Sequence, residues 1–488
     1  MSKSLLKSVF WVTISEIIFN ISGYVVHSGV GRILGPADYG RYSLIVTLTT
    51  MVIILIGNGI PTAMSKYLSE FFEKKPGMVL VIKRQALILQ TILILGVTLL
   101  FFFLAPVIAL ALGDKSLTSL FRLSTLIIPA FAAASFYFYY FTGLHYFNIQ
   151  SVLKTLRSVF KVIFIVGLAY YFKVEGSVAG YIFAPFFVFI IAYFIDRVLI
   201  QKKFKGVKKT EEDFDWKKLV NYAWPLTLFM IFYELFISVD LYLVKGFLHN
   251  DYLTGIYNGA LTVGRLPYYL FYALVVVMLP VISKTTSEEN HEETFRIISS
   301  TLRLMLILLF PVVLLLMVFA GPVIQIFYGS AFLEATLPMI IILPGVGFLT
   351  IFYVMSFVMN GAGKVKIPML LSLLGLLLNA GLNILFIPKF GILGSAMGTT
   401  LASFLATLVM LYMVGKHFRV FPKLLSLLKI ILASGILLLL SFLLPKNVFS
   451  LFWGSAILLT VYFGILFSIR EIKKEDLMIF RQLIFKKK

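Results

Sequence analysis

The sequence predicts an all-α integral membrane protein of about fourteen transmembrane helices, built as two pseudo-symmetric six-helix bundles with two more helices at the C-terminus. Three observations predict it. Of 488 residues, 60% are hydrophobic and 13% charged, with a mean hydropathy of +0.98. Soluble domains carry roughly 45–50% apolar and about 25% charged residues, so the surplus apolar surface must face lipid. Apolar runs of about 20 residues, enough to cross a hydrocarbon core of about 30 Å, recur along the chain. Finally, its two halves repeat one another.

Read in order between charged or turn-rich punctuation, the first span is 8–30. It follows Lys3 and Lys7, but it runs long, carries Glu16, Asn20 and His27, and lacks a small-x-small cleavage site, so it reads as a retained helix and not a secretory signal. Spans follow at 39–61, 85–112, 118–142, 150–172 and 177–199, then, after a polar stretch, at 219–244, 253–280, 297–320, 333–359, 367–388 and 391–415. The last two are 423–444 and 448–469. This divides the chain into an N-terminal bundle (1–199), a cytoplasmic linker (200–218), a C-terminal bundle (219–415), and two additional helices with a cytoplasmic tail (416–488). Two amphipathic stretches, 62–74 and 473–486, are expected to lie along the cytoplasmic membrane surface.

The formal net charge is +21. In a soluble chain that would suggest nucleic acid, but here no nucleic-acid partner is expected, because membrane proteins load their cytoplasmic loops with Lys and Arg. Most of the 43 basic residues fall on the side holding the N-terminus, the loops after even-numbered spans and the C-terminal tail. Both termini are therefore expected in the cytoplasm, with the protein in the cell (cytoplasmic) membrane. Cysteine is absent and the five histidines are scattered, so no metal site or disulfide is expected.

The halves match at an offset of about 215–219 residues. Gly40-Arg41-Tyr42 corresponds to Gly255-Ile256-Tyr257, and Ile60-Pro61 to Leu279-Pro280. Ala105-Pro106-Val107-Ile108 corresponds to Gly321-Pro322-Val323-Ile324, and Gly176-Ser177-Val178-Ala179-Gly180 to Gly394-Ser395-Ala396-Met397-Gly398. An even-numbered unit repeats with the same topology, an arrangement transporters use for alternating access. No selectivity-filter sequence and no cluster of catalytic His, Asp or Glu points to a channel or an enzyme.

The motifs also resemble a known family. Gly31-Arg32-Ile33-Leu34-Gly35-Pro36-Ala37-Asp38-Tyr39-Gly40, the segment Gly59 to Glu70, and Asn383-Ile384-Leu385-Phe386-Ile387-Pro388-Lys389-Phe390-Gly391 are similar to signatures of polysaccharide biosynthesis proteins. By them the chain is identified as a member of the Wzx-type oligosaccharide flippases, in the multidrug/oligosaccharidyl-lipid/polysaccharide exporter superfamily. The resemblance implies two six-helix bundles, a polyprenyl-diphosphate-linked sugar cargo, and coupling to a proton or sodium gradient without a bound cofactor. It implies membrane lipids and other polysaccharide-assembly membrane proteins as partners.

Charges inside spans are costly and normally face a cavity or a partner. Arg265 sits about twelve residues into the eighth span, roughly 18 Å along a helix. It is the candidate for the diphosphate, since Arg pairs bidentately with phosphate oxygens; the alternative is an ion pair with Glu234 or Asp240. Glu16 and Glu234, related by the repeat, are candidates for proton coupling or for accepting hydrogen bonds from sugar hydroxyls; the alternative is an interhelical pair or a carboxyl that stays protonated. Asp240 is a candidate for cation coupling. Asn20 is a candidate substrate contact, while Asn379 and Asn383 fit the role of interhelical hydrogen bonds. Arg32 and Arg41 read as ordinary interface residues. The rival functions are a cation-coupled multidrug exporter of the same superfamily, which would want carboxylates in its cavity, and a non-transporting scaffold for glycan assembly.

Overall fold

The computed structural model describes residues 3–57, 59–72, 74–204, 214–421 and 423–472, and no strand occurs among them. In order the helices are α1 (Lys3–Gly57), α2 (Gly59–Phe71), α3 (Pro76–Ala111), α4 (Leu117–Ser124), α5 (Ile127–Gly143), α6 (Phe147–Lys161), α7 (Gly167–Ile195) and the short α8 (Gln201–Lys203). They continue as α9 (Lys217–Leu248), α10 (Asp251–Gly264), α11 (Leu266–Ser287), α12 (His291–Val318), α13 (Ala320–Tyr328), α14 (Thr336–Gly361), α15 (Lys366–Phe418), α16 (Leu424–Ser441) and α17 (Val448–Ser468). Ten stretches of helix among the described residues are long and apolar enough to cross a membrane. Helices are the natural solution, because a backbone in lipid must satisfy its own hydrogen bonds.

That tally counts hairpins once. In α1, Gly35 takes φ 70 and ψ 176, and Pro36 opens a second limb. His27 Nδ1 then lies 2.9 Å from the Tyr39 hydroxyl, although twelve residues of straight helix would separate them by about 18 Å. The run through α7 breaks at Phe172–Lys173 and α15 breaks at Gly391, positions related by the repeat offset. Beyond each break the chain turns back on itself, with Gly176 against the Leu168 carbonyl and Gly394 against that of Phe386. Gly391 adopts φ 58 freely, whereas Lys173 holds φ 50 with a side chain, a strain of about 1–3 kcal/mol.

Packing divides the chain into two units, Met1–Asn258 with Ser372–Ser395, and Gly259–Leu371 with Ala396–Lys488. In the first, Ile60, Ala63, Met64 and Leu68 of α2 are buried against Val79 and Ile82 of α3, Phe136, Tyr140 and Phe141 of α5, and Val188 and Ala192 of α7. The amphipathic stretch expected on the membrane surface at 62–74 thus buries its apolar face in protein. Helical periodicity predicts an apolar face but does not say whether lipid or protein covers it. The second amphipathic stretch, 473–486, lies outside the described residues. Asn379 Nδ2 donates to the Phe236 carbonyl (2.8 Å), Asn383 Nδ2 to Asn379 Oδ1 (2.7 Å), and Ser395 Oγ to Asn383 Oδ1. The first and last of these join separate helical segments, as expected of the two asparagines, while the bond between them lies within one limb of α15.

The first unit also explains the Tyr39-Gly40 motif. The second limb of α1 and the start of α10 meet at Gly40 and Gly255, which the repeat relates to each other. A Cβ on Gly255 would run into the Pro36 carbonyl and stand 3.0 Å from the Gly40 nitrogen; one on Gly40 would stand 2.8 Å from the Gly255 nitrogen. Charges close around this crossing. Lys245, 2% exposed, pairs with Asp251 and, at 3.2 Å, with Asp114. Arg41, read from sequence as an ordinary interface residue, donates to Ser116 Oγ (2.8 Å) and lies 4.0 Å from Asp251. Burial works to raise the Asp114 carboxyl, but hydrogen bonds from Ser116 and Lys245 and the Lys245 charge hold it below the usual carboxylate range.

In the second unit, side-chain hydroxyls tie helices together. Thr400 donates to the Ile341 carbonyl (2.7 Å), Thr407 to that of Phe348 (2.8 Å) and Tyr462 to that of Ile307 (3.0 Å). Just past α17, Glu471 fastens that helix end to two others: it takes hydrogen bonds from Arg303 of α12 and Ser426 of α16, and lies 3.5 Å from Lys429, also of α16. Burial works to raise its carboxyl, yet these partners hold it below the usual range. A depressed folded-state pKa contributes stability above the unfolded value that is lost as pH falls through the folded one. Glu471→Gln is therefore expected to cost about 2 kcal/mol at neutral pH. The gap between the melting curves of native and variant protein is expected to close only as pH falls below the usual carboxylate range, where the native carboxyl becomes protonated too.

Candidate functional site

α6 carries Lys154, Arg157 and Lys161, a spacing that sets all three on one face of the helix. Arg157 lies about 15 Å along α6 from its first residue, comparable to half of a hydrocarbon core about 30 Å thick. Facing these cations is the first limb of α1. Glu16 forms an ion pair with Lys154. Phe19, three residues on, presents its ring to all three cations, at 5.2 Å from Lys154, 4.8 Å from Arg157 and 5.1 Å from Lys161. Phe131 and Phe138 of α5, seven residues apart and so on one helix face, bring their ring centroids to 4.7 Å from the Arg157 guanidinium. Tyr181 of α7 lies 5.8 Å from the Lys161 ammonium. Gly23 leaves room for that ammonium, which stands 3.6 Å from where a Cβ would be.

Arg157 is 7% exposed, and its Nε and Nη1 are buried without a hydrogen-bond partner. Aromatic faces stabilise a cation through the ring quadrupole without consuming its N–H donors. The three phenyl rings therefore hold the guanidinium in place without using its Nε and Nη1 donors. Three cations against one carboxylate leave two positive charges uncompensated in the cluster. A π-helical turn, Val162–Val166, follows directly, a local geometry enriched at functional sites. Chemically, such a site suits a small dianion rich in acceptor oxygens.

Of the residues singled out from sequence, Glu16 is in this cluster and takes the interhelical ion pair that was the alternative to a coupling role. Asn20, one turn further along α1, is half-buried on the same face. Glu234 is half-buried on α9, and Asp240, fully buried, accepts a hydrogen bond from the Tyr257 hydroxyl (2.8 Å). Arg265 lies at the joint between α10 and α11 and not inside an unbroken helix. Pro267, two residues on, has no N–H to continue the ladder there. Lys154, Arg157 and Lys161 escaped the sequence reading because, counted for orientation, they belong to the basic side of the membrane. Their spacing of three and four residues inside an apolar run is the signal that marks them as one face.

The model of the polysaccharide biosynthesis protein family matches residues 5–286. An uncharacterized membrane protein of Methanocaldococcus jannaschii, MJ1375, is 24% identical over 421 residues, covering 82% of this chain and 95% of that protein. Among solved structures, the lipid II flippase MurJ in an inward closed conformation superposes with a TM-score of 0.77 at 18% identity, over 94% of this chain and 99% of its own. An inward-facing multidrug resistance MATE transporter of the MOP superfamily superposes with a TM-score of 0.71 at 14% identity, over 84% of this chain and 98% of its own. Both likenesses are of fold. They show that the chain shares the all-helical, multi-pass membrane fold of these two proteins. The match across more than half its length, joined to the motifs around Gly35 and Gly40 and the helical hairpins they build, makes this protein a member of the polysaccharide biosynthesis protein family.

Proposed function

We propose that the protein carries a polyprenyl-diphosphate-linked oligosaccharide from the cytoplasmic to the outer leaflet by alternating access, and that Lys154, Arg157 and Lys161 hold the diphosphate. The observation that carries this reading is Arg157, a guanidinium buried among three phenyl rings with Nε and Nη1 unsatisfied, inside a cluster with an excess of two positive charges. Charge-assisted hydrogen bonds to phosphate oxygens would satisfy both the donors and the charge. The sugar would meet Asn20 on the neighbouring turn of α1, and the lipid tail would stay in the bilayer. In this reading the moving bodies are the bundles 1–199 and 219–415, both termini are cytoplasmic, and Arg265 and Glu234 are further contacts to the cargo. Asp240 and Glu234 are the candidates for proton or sodium coupling. Export of cationic drugs is disfavoured, because the cations of the cluster would repel them.

Translocation of a fluorescent lipid-linked oligosaccharide in proteoliposomes tests the reading, with Lys161→Gln and Arg265→Gln beside the native protein. Rapid native flipping that falls at least tenfold in Lys161→Gln is the expected result. A fall confined to Arg265→Gln would move the diphosphate to α10–α11. Absence of native flipping under imposed proton and sodium gradients, with several lipid carriers tried, would sink the flippase reading in favour of drug export.

A further inference from the structure

We propose that Glu16 is the built-in counter-anion of this site, and that a phosphate of the substrate takes its place on Lys154. The inference rests on the diphosphate reading of the cluster and goes beyond it in assigning the carboxylate a role of its own. Lys154, Arg157 and Lys161 crowd one face of α6, and among the described residues Glu16 is the carboxylate that forms an ion pair in this cluster, with Lys154. Besides Glu16 and the two lysines, the phenols Tyr139 of α5 and Tyr181 of α7 lie near Arg157. The pair is also unequal in its freedom. The Glu16 side chain is 34% exposed while that of Lys154 is 13% exposed, so the carboxylate is the member able to swing aside while the ammonium keeps its position.

An empty site with three cations and no anion would be costly to keep in a low-dielectric interior. Glu16 lowers that cost while the carrier returns empty. When a diphosphate arrives, its oxygens satisfy the Arg157 donors, which Glu16 does not reach, and compete with the carboxylate for Lys154. Glu16 thereby holds anion affinity down to a level from which the product leaves.

Binding of farnesyl diphosphate, a short polyprenyl diphosphate, to the purified full-length protein in lipid nanodiscs tests this. Glu16→Gln is expected to bind it at least tenfold tighter than native and to flip cargo more slowly, because release is retarded. Glu16→Asp, which keeps the charge, is expected to stay near native. Lys154→Gln is expected to weaken binding, and adding Glu16→Gln to it to restore much of the loss by returning the net charge to its native value. This last comparison decides the matter even if the single Glu16 variant misfolds. If Arg157→Met abolishes binding while Glu16→Gln leaves it unchanged or weakens it, the counter-anion role is overturned and the diphosphate site stands. If Arg157→Met binds like native, the diphosphate site is wrong and the counter-anion role falls with it.

Discussion

Replacing Arg157 by methionine is expected to slow translocation of the lipid-linked cargo by roughly a hundredfold or more. Two charge-assisted hydrogen bonds at about 1.5–3 kcal/mol each are at stake, and every 1.4 kcal/mol is a factor of ten. Methionine keeps the volume of the aliphatic stem among Phe19, Phe131 and Phe138, so the cage stays filled. The variant is expected to melt no lower than the native protein, because a buried cation without hydrogen-bond acceptors costs more than an apolar side chain of similar size. Lost transport with retained stability separates a ligand-binding arginine from a structural one. A marked fall in melting temperature with transport intact would show that Arg157 holds the bundle together and nothing more. Arg157→Lys is expected to fail nearly as badly, since an ammonium has no planar fork to engage two oxygens.

Gly255→Ala is expected to destabilise the protein by roughly 3 kcal/mol, the upper part of the range for overpacking a filled interior. The added methyl would meet the Pro36 carbonyl, a backbone atom that no rotamer change can move aside. The two helices would have to part, loosening the contacts of Lys245 with Asp114 and Asp251 and the hydrogen bond from Asn258 to the Tyr39 hydroxyl. A melting curve in detergent reads the effect, and Gly246→Ala is the internal control, because a Cβ there would stand at an ordinary 3.7 Å from its nearest neighbour. Equal stability of the two variants would mean that the Gly40–Gly255 crossing is not close-packed in solution.

Much of the fold is legible from the sequence because it follows from local sums. Composition alone puts the chain in a membrane, and apolar run lengths give the helices. The shared offset of the repeat anticipates the paired breaks at Lys173 and Gly391. The Gly35-Pro36 pair is readable as punctuation, although a straight reading of helix length would merge the two limbs of α1. The site was less legible. Arg265 stands out as a charge well inside an apolar run, whereas the three cations of α6 lie in the half of their span nearer the basic side of the membrane and read as part of that bias.

The sequence by itself determined the membrane class, the helical content, the internal repeat and the family, because each is carried by residues close together or by a regular spacing. Only the tertiary structure decided which charges share a site. Glu16 and Lys154 are 138 residues apart, and the rings around Arg157 come from α1 and α5. Whether a buried cation is neutralised, caged or left with open donors depends on what packs against it, and periodicity along one helix carries no information about the helix that faces it.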